Sequence, residues 1–189
     1  MDKSLMRAAA LQRRKSLTVE QRSCFSQAIL SSLFDCLATQ PESPQNLLIY
    51  RSMPSEVATD DLLKSEPYRL FAPVTHHHEH MEWHELSAAT RWQKGLFGIL
   101  EPDGGALWSG EQGKTTLLCP LTAFDRQGNR LGMGKGCFDF WLAQHHHHIQ
   151  QIIGLAFSCQ EVAAVPAERH DMPMSCIITE KEVIQCPKR

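Results

Sequence analysis

No stretch of this chain approaches the roughly 18 to 20 consecutive apolar residues that a membrane-spanning helix needs, which excludes a membrane partner of the spanning kind. Residues 1–14 carry Lys3, Arg7, Arg13 and Arg14 but no apolar run behind them, so they do not read as a secretory leader. Both absences predict a cytoplasmic protein. An excess of positive charge is missing too: 19 Lys and Arg against 21 Asp and Glu leave a formal charge of -2 and a sequence pI near 6.5. Duplex binding ordinarily requires a basic surface, so nucleic acid is excluded as the expected partner. Seven cysteines are scattered along the chain and never spaced Cys-x-x-Cys. That pattern suits neither a disulfide framework nor a zinc ribbon, and it predicts reduced thiols, most of them in the core. There is no internal repeat and no compositionally disordered tract.

What is present is enough for one hydrophobic core. With 42% hydrophobic residues in 189, the chain fits a single domain spanning residues 1–189, expected as a monomer. Leu11, Val19, Phe25, Ile29, Leu33 and Leu37 recur at helical spacing; they predict two helices between about residues 3 and 37, joined near 16–18, where Thr18, Glu20 and Gln21 form a capping sequence. Pro41 and Pro44 break the chain, and residues 46–50 read as a buried strand. A helix over 56–64 and strands over 68–74 and 81–86 follow. Residues 90–114, rich in glycine and holding Pro102, read as a long surface connection. Strands over 115–120, 152–157 and 176–179, with a helix over 138–150, complete the pattern. Strands alternating with helices predict an α/β fold, with a mainly parallel central sheet covered on both faces.

The residues most suggestive of chemistry lie between the strand ending at Pro120 and the helix after it. Gly132, Gly134 and Gly136 alternate there. Such spacing lets a backbone take positive φ and approach a bulky anion, while the following helix N-terminus favours phosphate oxygens. Arg130 and Lys135 add positive charge, and Asp139 offers a hard oxygen ligand suited to Mg²⁺. The stretch is not a Walker A loop, because Lys135 is followed by Gly136 rather than Ser or Thr. It is not the dinucleotide fingerprint either, because Cys137 stands where the last glycine belongs.

Phe124-Asp125, Gly128, Arg130-Leu131-Gly132, Gly134, Gly136 and Asp139 resemble the signature loop of 5-formyltetrahydrofolate cyclo-ligases. Lys3 with Arg7, Glu56-Val57 with Thr59, Met81 with Trp83, Gly98-Ile99 with Glu101-Pro102, and Gln160, Pro166, His170-Asp171 and Ile178-Thr179-Glu180 are similar to further landmarks of that family in the same order. The resemblance implies a three-layer α/β/α domain and an enzyme that uses MgATP to cyclise 5-formyltetrahydrofolate to 5,10-methenyltetrahydrofolate, releasing ADP and phosphate. It further implies ATP binding by Lys3, Arg7 and Arg130, Leu131, Gly132, Met133, Gly134, Lys135, Gly136, Cys137 and Phe138, with Arg130 and Lys135 stabilising transition-state charge. Folate binding would fall to Arg51, Glu56, Met81, Trp83 and the backbone of 133–137, with Asp139 and Asp171 holding Mg²⁺.

One departure concerns Cys137-Phe138, where the family usually has two aromatic residues before the aspartate; the folate contact is weakened most by it. Two histidine runs, 76–78 with His80 and 145–148, are unusual as well. Consecutive residues on a helix point in different directions, which argues against a closed metal site, whereas a charged His76–His80 segment would suit the glutamate tail of a folate. Two other readings remain open: a nucleotide- or metal-binding regulatory module of the same fold that lacks folate turnover, and a relative of the sugar-phosphate isomerases. The isomerase relative would not need the Lys3/Arg7 pair or the two aspartates.

Overall fold

The computed structural model of the chain describes residues 2–38, 46–64, 67–168 and 171–187. The expected break at Pro41 and Pro44 and the landmark His170 lie outside them. Helix α1 (Lys3–Lys15) is capped by Asp2, whose carboxylate accepts the Ser4 N–H, and carries Arg13, Arg14 and Lys15 in its last turn, where the helix dipole favours cations. Met6, Ala10 and Arg14 are its buried residues, a stripe four residues apart. Helix α2 (Val19–Ala38) starts from a reciprocal cap: Thr18 N–H donates to the Gln21 side chain at 2.8 Å, and Gln21 N–H to Thr18 Oγ1 at 3.1 Å. Both helices thus stand where the apolar spacing put them.

Strands β1 (Asn46–Leu48), β2 (Arg69–His77), β3 (His80–Glu85), β6 (Thr115–Pro120), β9 (Gln151–Leu155), β10 (Cys176–Ile178) and β11 (Val183–Gln185) form one sheet in the order β11-β10-β9-β6-β1-β2-β3. The five inner strands are parallel, and β3 and β11 pair antiparallel at the edges. Side chains alternate across it. Leu47, Leu118, Ile153, Leu155 and Ile178 pack with Ile29, Leu33 and Leu37 of α2. Leu48, Leu117, Cys119, Ile152 and Ile177 face the other way, onto Trp141 and Leu142 of helix α3 (Cys137–His145). The fold is therefore the expected three-layer α/β/α sandwich with a mainly parallel sheet.

Several elements differ from the sequence reading, among them β11, which follows the strand expected to be the last. Residues 56–64 hold a turn and a short 3-10 helix (Asp60–Lys64) rather than an α-helix. Side chains compete for the backbone there: Ser26 Oγ accepts Ala58 N–H at 3.0 Å, Ser52 Oγ accepts Thr59 N–H at 3.4 Å, and Thr59 Oγ1 donates to the Tyr50 carbonyl at 2.6 Å. Within 90–114 a hairpin of β4 (Trp92–Lys94) and β5 (Leu100–Pro102) folds over the sheet. A second hairpin, β7 (Ala123–Phe124) and β8 (Arg130–Leu131), precedes the glycine loop; its turn is organised by Asp125, which accepts the N–H groups of Gln127, Asn129 and Val165. Helix α3 ends at His145 and passes into a 3-10 turn (His146–His148). There His145 and His146 donate from Nδ1 to the carbonyls of Trp141 and Leu142 at 2.9 and 3.2 Å, adding to the main-chain N–H of His146, which also reaches the Leu142 carbonyl. None of the seven cysteines is in a disulfide, but only Cys119 and Cys176 are buried, fewer than expected.

Candidate active site

A pocket of ≈ 310 Å³ opens beyond the C-terminal ends of β1 and β6. From β1 the chain passes to β2 on one side, and it later returns to β6 on the other. This is a topological switch point, the place where α/β sheets ordinarily bind ligands.

One end of the pocket holds Glu56, only 8% exposed. Its Oε2 accepts Met53 N–H at 2.9 Å, and its Oε1 lies 3.8 Å from Arg14 Nη1. Burial pushes its pKa up, opposed by the Met53 N–H and by Arg14. Arg14 also donates to Ser55 Oγ at 2.9 Å and to the Leu121 carbonyl at 3.3 Å, tying helix α1 to both pocket walls. Tyr50 lines the same end; its hydroxyl is buried with no hydrogen-bond partner among the described residues. Burial, then the neighbouring Glu56 carboxylate, hold that phenol well above its ordinary pKa, so it remains an O–H donor. Arg51 sits at the rim, paired with Asp60 at 2.8 Å and 4.8 Å above the Trp92 ring.

The other end is the glycine loop. Gly134 and Gly136 take φ of 93° and 74°, conformations open to glycine without strain. Gly132 has neither a positive φ nor a neighbour that a Cβ would meet, so the expectation of three conformationally required glycines holds for two. Gly136 caps α3 without any side-chain hydrogen bond, leaving the first-turn N–H groups for an anion. Arg130, with a side chain 4% exposed, donates to Asp139 Oδ1 at 2.5 Å and to the Met172 carbonyl at 2.8 Å. Burial works against its charge, but Cys119, Asp139 and Asp171 outweigh it and hold its pKa above the ordinary value. Both expected metal carboxylates therefore act on one guanidinium. Asp139 lines the pocket at the glycine loop and suits Mg²⁺, which is usually held by one or two carboxylates plus substrate phosphates; Asp171 lies off the pocket wall, its Oδ2 accepting Glu168 N–H at 2.8 Å.

Of the residues expected from sequence, Arg51, Glu56, Met81, Arg130, Gly132, Met133, Lys135, Gly136, Cys137, Phe138 and Asp139 line this pocket. Arg7 reaches the loop from α1, its Nε donating to the Gly132 carbonyl at 3.0 Å. Lys3 pairs with Glu168 at 2.8 Å. Lys3, Arg7, Leu131, Gly134, Trp83 and Asp171 are not on the pocket wall. Leu131 is buried beneath α1 with Met6 and Ala10, because β8 turns its side chain away from the loop. Trp83, 1% exposed, packs on Phe138 and Trp141, so it supports the wall from behind. Sequence reasoning missed Tyr50, Arg14 and the β4–β5 hairpin, which contributes Phe97, Leu100 and the buried Glu101. Arg14 carried a signal: it lies seven residues, two helical turns, after Arg7, on the same side of α1.

Comparison with known proteins finds relatives of one kind. The chain is 29% identical to a 5-formyltetrahydrofolate cyclo-ligase of Haemophilus influenzae over 87% of its own length and 90% of the relative's. It is 28% identical to the mouse 5-formyltetrahydrofolate cyclo-ligase, covering 93% and 92%. Its fold superposes on the Aquifex aeolicus 5,10-methenyltetrahydrofolate synthetase with a TM-score of 0.78, at 28% identity over 100% of this chain and 95% of that one. The Mycoplasma pneumoniae 5,10-methenyltetrahydrofolate synthetase superposes with a TM-score of 0.74, at 25% identity over 95% and 99%. The family model for 5-formyltetrahydrofolate cyclo-ligases matches residues 1–180, and the chain belongs to that family.

Proposed function

We propose that this protein is a cytoplasmic, monomeric ligase, one domain over residues 1–189, that cyclises 5-formyltetrahydrofolate to 5,10-methenyltetrahydrofolate at the expense of ATP. The observation that carries the reading is that one pocket is lined at one end by the buried carboxylate of Glu56 and at the other by the glycine loop with Arg130, Lys135 and Asp139. A carboxylate in an apolar wall accepts paired N–H donors of a pterin edge. The loop and the open N-terminus of α3 suit the phosphates of ATP.

In this reading the γ-phosphoryl passes to the formyl oxygen. N10 then attacks the activated formyl carbon and closes the ring, and the oxygen leaves as phosphate. Phosphoryl transfer is catalysed mainly by positioning and charge, and the chain's own residues are suited to both. Arg130 is held by Asp139 and the Met172 carbonyl, so its charge is fixed before the substrate arrives. Lys135, beside the Phe97 ring at 6.0 Å, supplies a second cation at the pocket mouth. Lys3 and Arg7 extend the cationic face of α1 toward the loop and the ATP phosphates. Asp139 and Asp171 would hold Mg²⁺, which when bound neutralises phosphate charge. Tyr50, Glu56, Met81 and Cys137 contact the folate, and the β4–β5 hairpin covers it.

The test is a spectroscopic assay for methenyltetrahydrofolate with 5-formyltetrahydrofolate, omitting ATP and Mg²⁺ in turn. Product is expected only when all three are present. Product without ATP would overturn the mechanism, and folded protein that binds ATP yet forms no methenyl product would instead favour a regulatory module.

A further inference from the structure

The β2–β3 hairpin carries five histidines, His76, His77, His78, His80 and His84, with Glu79 and Glu82. The sequence expectation treated such runs as helical, with rings splayed apart. On a β-hairpin the geometry is different. His80, Glu82 and His84 alternate along β3 and share one face, while Met81, between them, turns inward to the pocket wall. A register shift between Thr75 and His77 crowds β2 against the same face: the His76 and His80 rings stand 4.8 Å apart.

Glu82 sits in the middle. His76 Nε2 is 3.2 Å from its Oε2, His80 Nε2 is 3.4 Å from its Oε1, and His84 Nε2 is 3.7 Å from its Oε2. One donor atom each from His76, His80 and Glu82 lie within 4.8 Å of one another. Bonds of about 2.1 Å at a tetrahedral angle span an edge of roughly 3.4 Å between ligand atoms, so two of these distances already match a zinc site. His84 has both ring nitrogens buried without a hydrogen-bond partner among the described residues, a costly state for an imidazole. It stands beside the same carboxylate as a further donor.

We propose that this hairpin binds one divalent transition-metal ion, of the class of Zn²⁺, through His76, His80 and Glu82, with His84 as a fourth donor. Imidazole with one carboxylate favours such ions over Mg²⁺, so the site is chemically distinct from the aspartates at the glycine loop. Solvent reaches it freely, since the side chains of His76 and His80 are 47% and 51% exposed. A bound ion would tie the two strands together on the face opposite Met81.

The proposal is tested by calorimetric titration of the chelator-stripped chain with Zn²⁺ alone, and by Co²⁺ substitution followed in the visible spectrum. One saturable site is expected. The paired variant His76→Ala/His80→Ala should weaken it by at least about tenfold, the scale on which even outer partners of a metal ligand act. Glu82→Gln should weaken it comparably, and His147→Ala/His148→Ala in the other histidine run should leave it unchanged. The Co²⁺ spectrum should lack thiolate charge-transfer bands, because no cysteine belongs to the site. Absence of saturable binding, unchanged affinity in the hairpin variant, thiolate bands, or loss of binding in the other histidine run would each overturn the assignment. Thermal melts of the variants separate lost ligands from lost fold.

Discussion

Arg14 Nη1 stands 3.8 Å from Glu56 Oε1, with only 2% and 7% of the two side chains exposed. The arginine comes from the first helix and the glutamate from the loop after the first strand, so this pair fixes α1 against the end of the pocket proposed to hold folate. Removing one member of a buried ion pair leaves the other charge uncompensated, at a cost of about 3–5 kcal/mol. Arg14→Met should therefore destabilise the protein on that scale and raise the KM for 5-formyltetrahydrofolate. Arg14→Met/Glu56→Gln should recover much of the stability but not the KM. Denaturant unfolding of the two single variants and the double variant checks this; additive losses would mean that the two groups do not interact.

Glu56 also gives the pocket a pH dependence. Its pKa is raised by burial, so between the unfolded and folded values the native state binds more protons than the unfolded one. Stability then falls as pH rises through that window and levels off above the folded pKa. The proposed folate recognition runs the other way, since only the ionised carboxylate accepts two N–H donors. The KM for 5-formyltetrahydrofolate should rise as pH falls through the Glu56 pKa, which burial raises above its ordinary value. In Arg14→Met, without the cation that opposes the shift, the rise should begin at a higher pH still. A KM profile of Arg14→Met that coincides with wild type would refute the coupling.

Asp139→Asn and Asp171→Asn should each strongly impair use of MgATP and leave folate binding largely intact. The effects on kcat/KM for ATP should combine less than additively if both serve one ion. Asp139→Asn carries an additional cost that Asp171→Asn is expected to show less, because Arg130 is buried against Asp139; replacing the charged partner should lower stability by about 1–3 kcal/mol. Steady-state kinetics at varied Mg²⁺, with melts alongside, separate the two effects.

Cys137 is the first residue of α3 and lines the pocket. Burial pushes its thiol above the ordinary range, so near neutral pH it is a small apolar filler rather than a nucleophile. Cys137→Tyr should lower the KM for 5-formyltetrahydrofolate with little change for ATP, since a ring adds stacking area on the folate side. Overpacking would instead cost about 1–3 kcal/mol. A lower Tm with no gain in folate KM would show that the side chain points into packed core.

Sequence alone determined what depends on local pattern and on order along the chain. The helices α1 and α2 follow from apolar neighbours three or four residues apart, the buried strands from Asn46, Thr115 and Gln151 from short continuous apolar runs, and the layered α/β architecture from their alternation. The glycine loop was legible because positive-φ turns, cations and a following helix are all written within ten residues, and Glu56 because it stood in order with other landmarks. Tertiary structure decided what depends on contacts between distant segments. The β4–β5 and β7–β8 hairpins have strands of two or three residues, too short for any period to register. Trp83 and Leu131 belong to stretches that resemble family landmarks, yet only the packing of α3 and α1 turns them away from the pocket. Arg14 needed the crossing of α1 over Glu56, 42 positions later, to become part of the site, and the histidines needed a strand rather than a helix to converge. In each case the residue type was visible from the start, while its direction was fixed by a neighbour far along the chain.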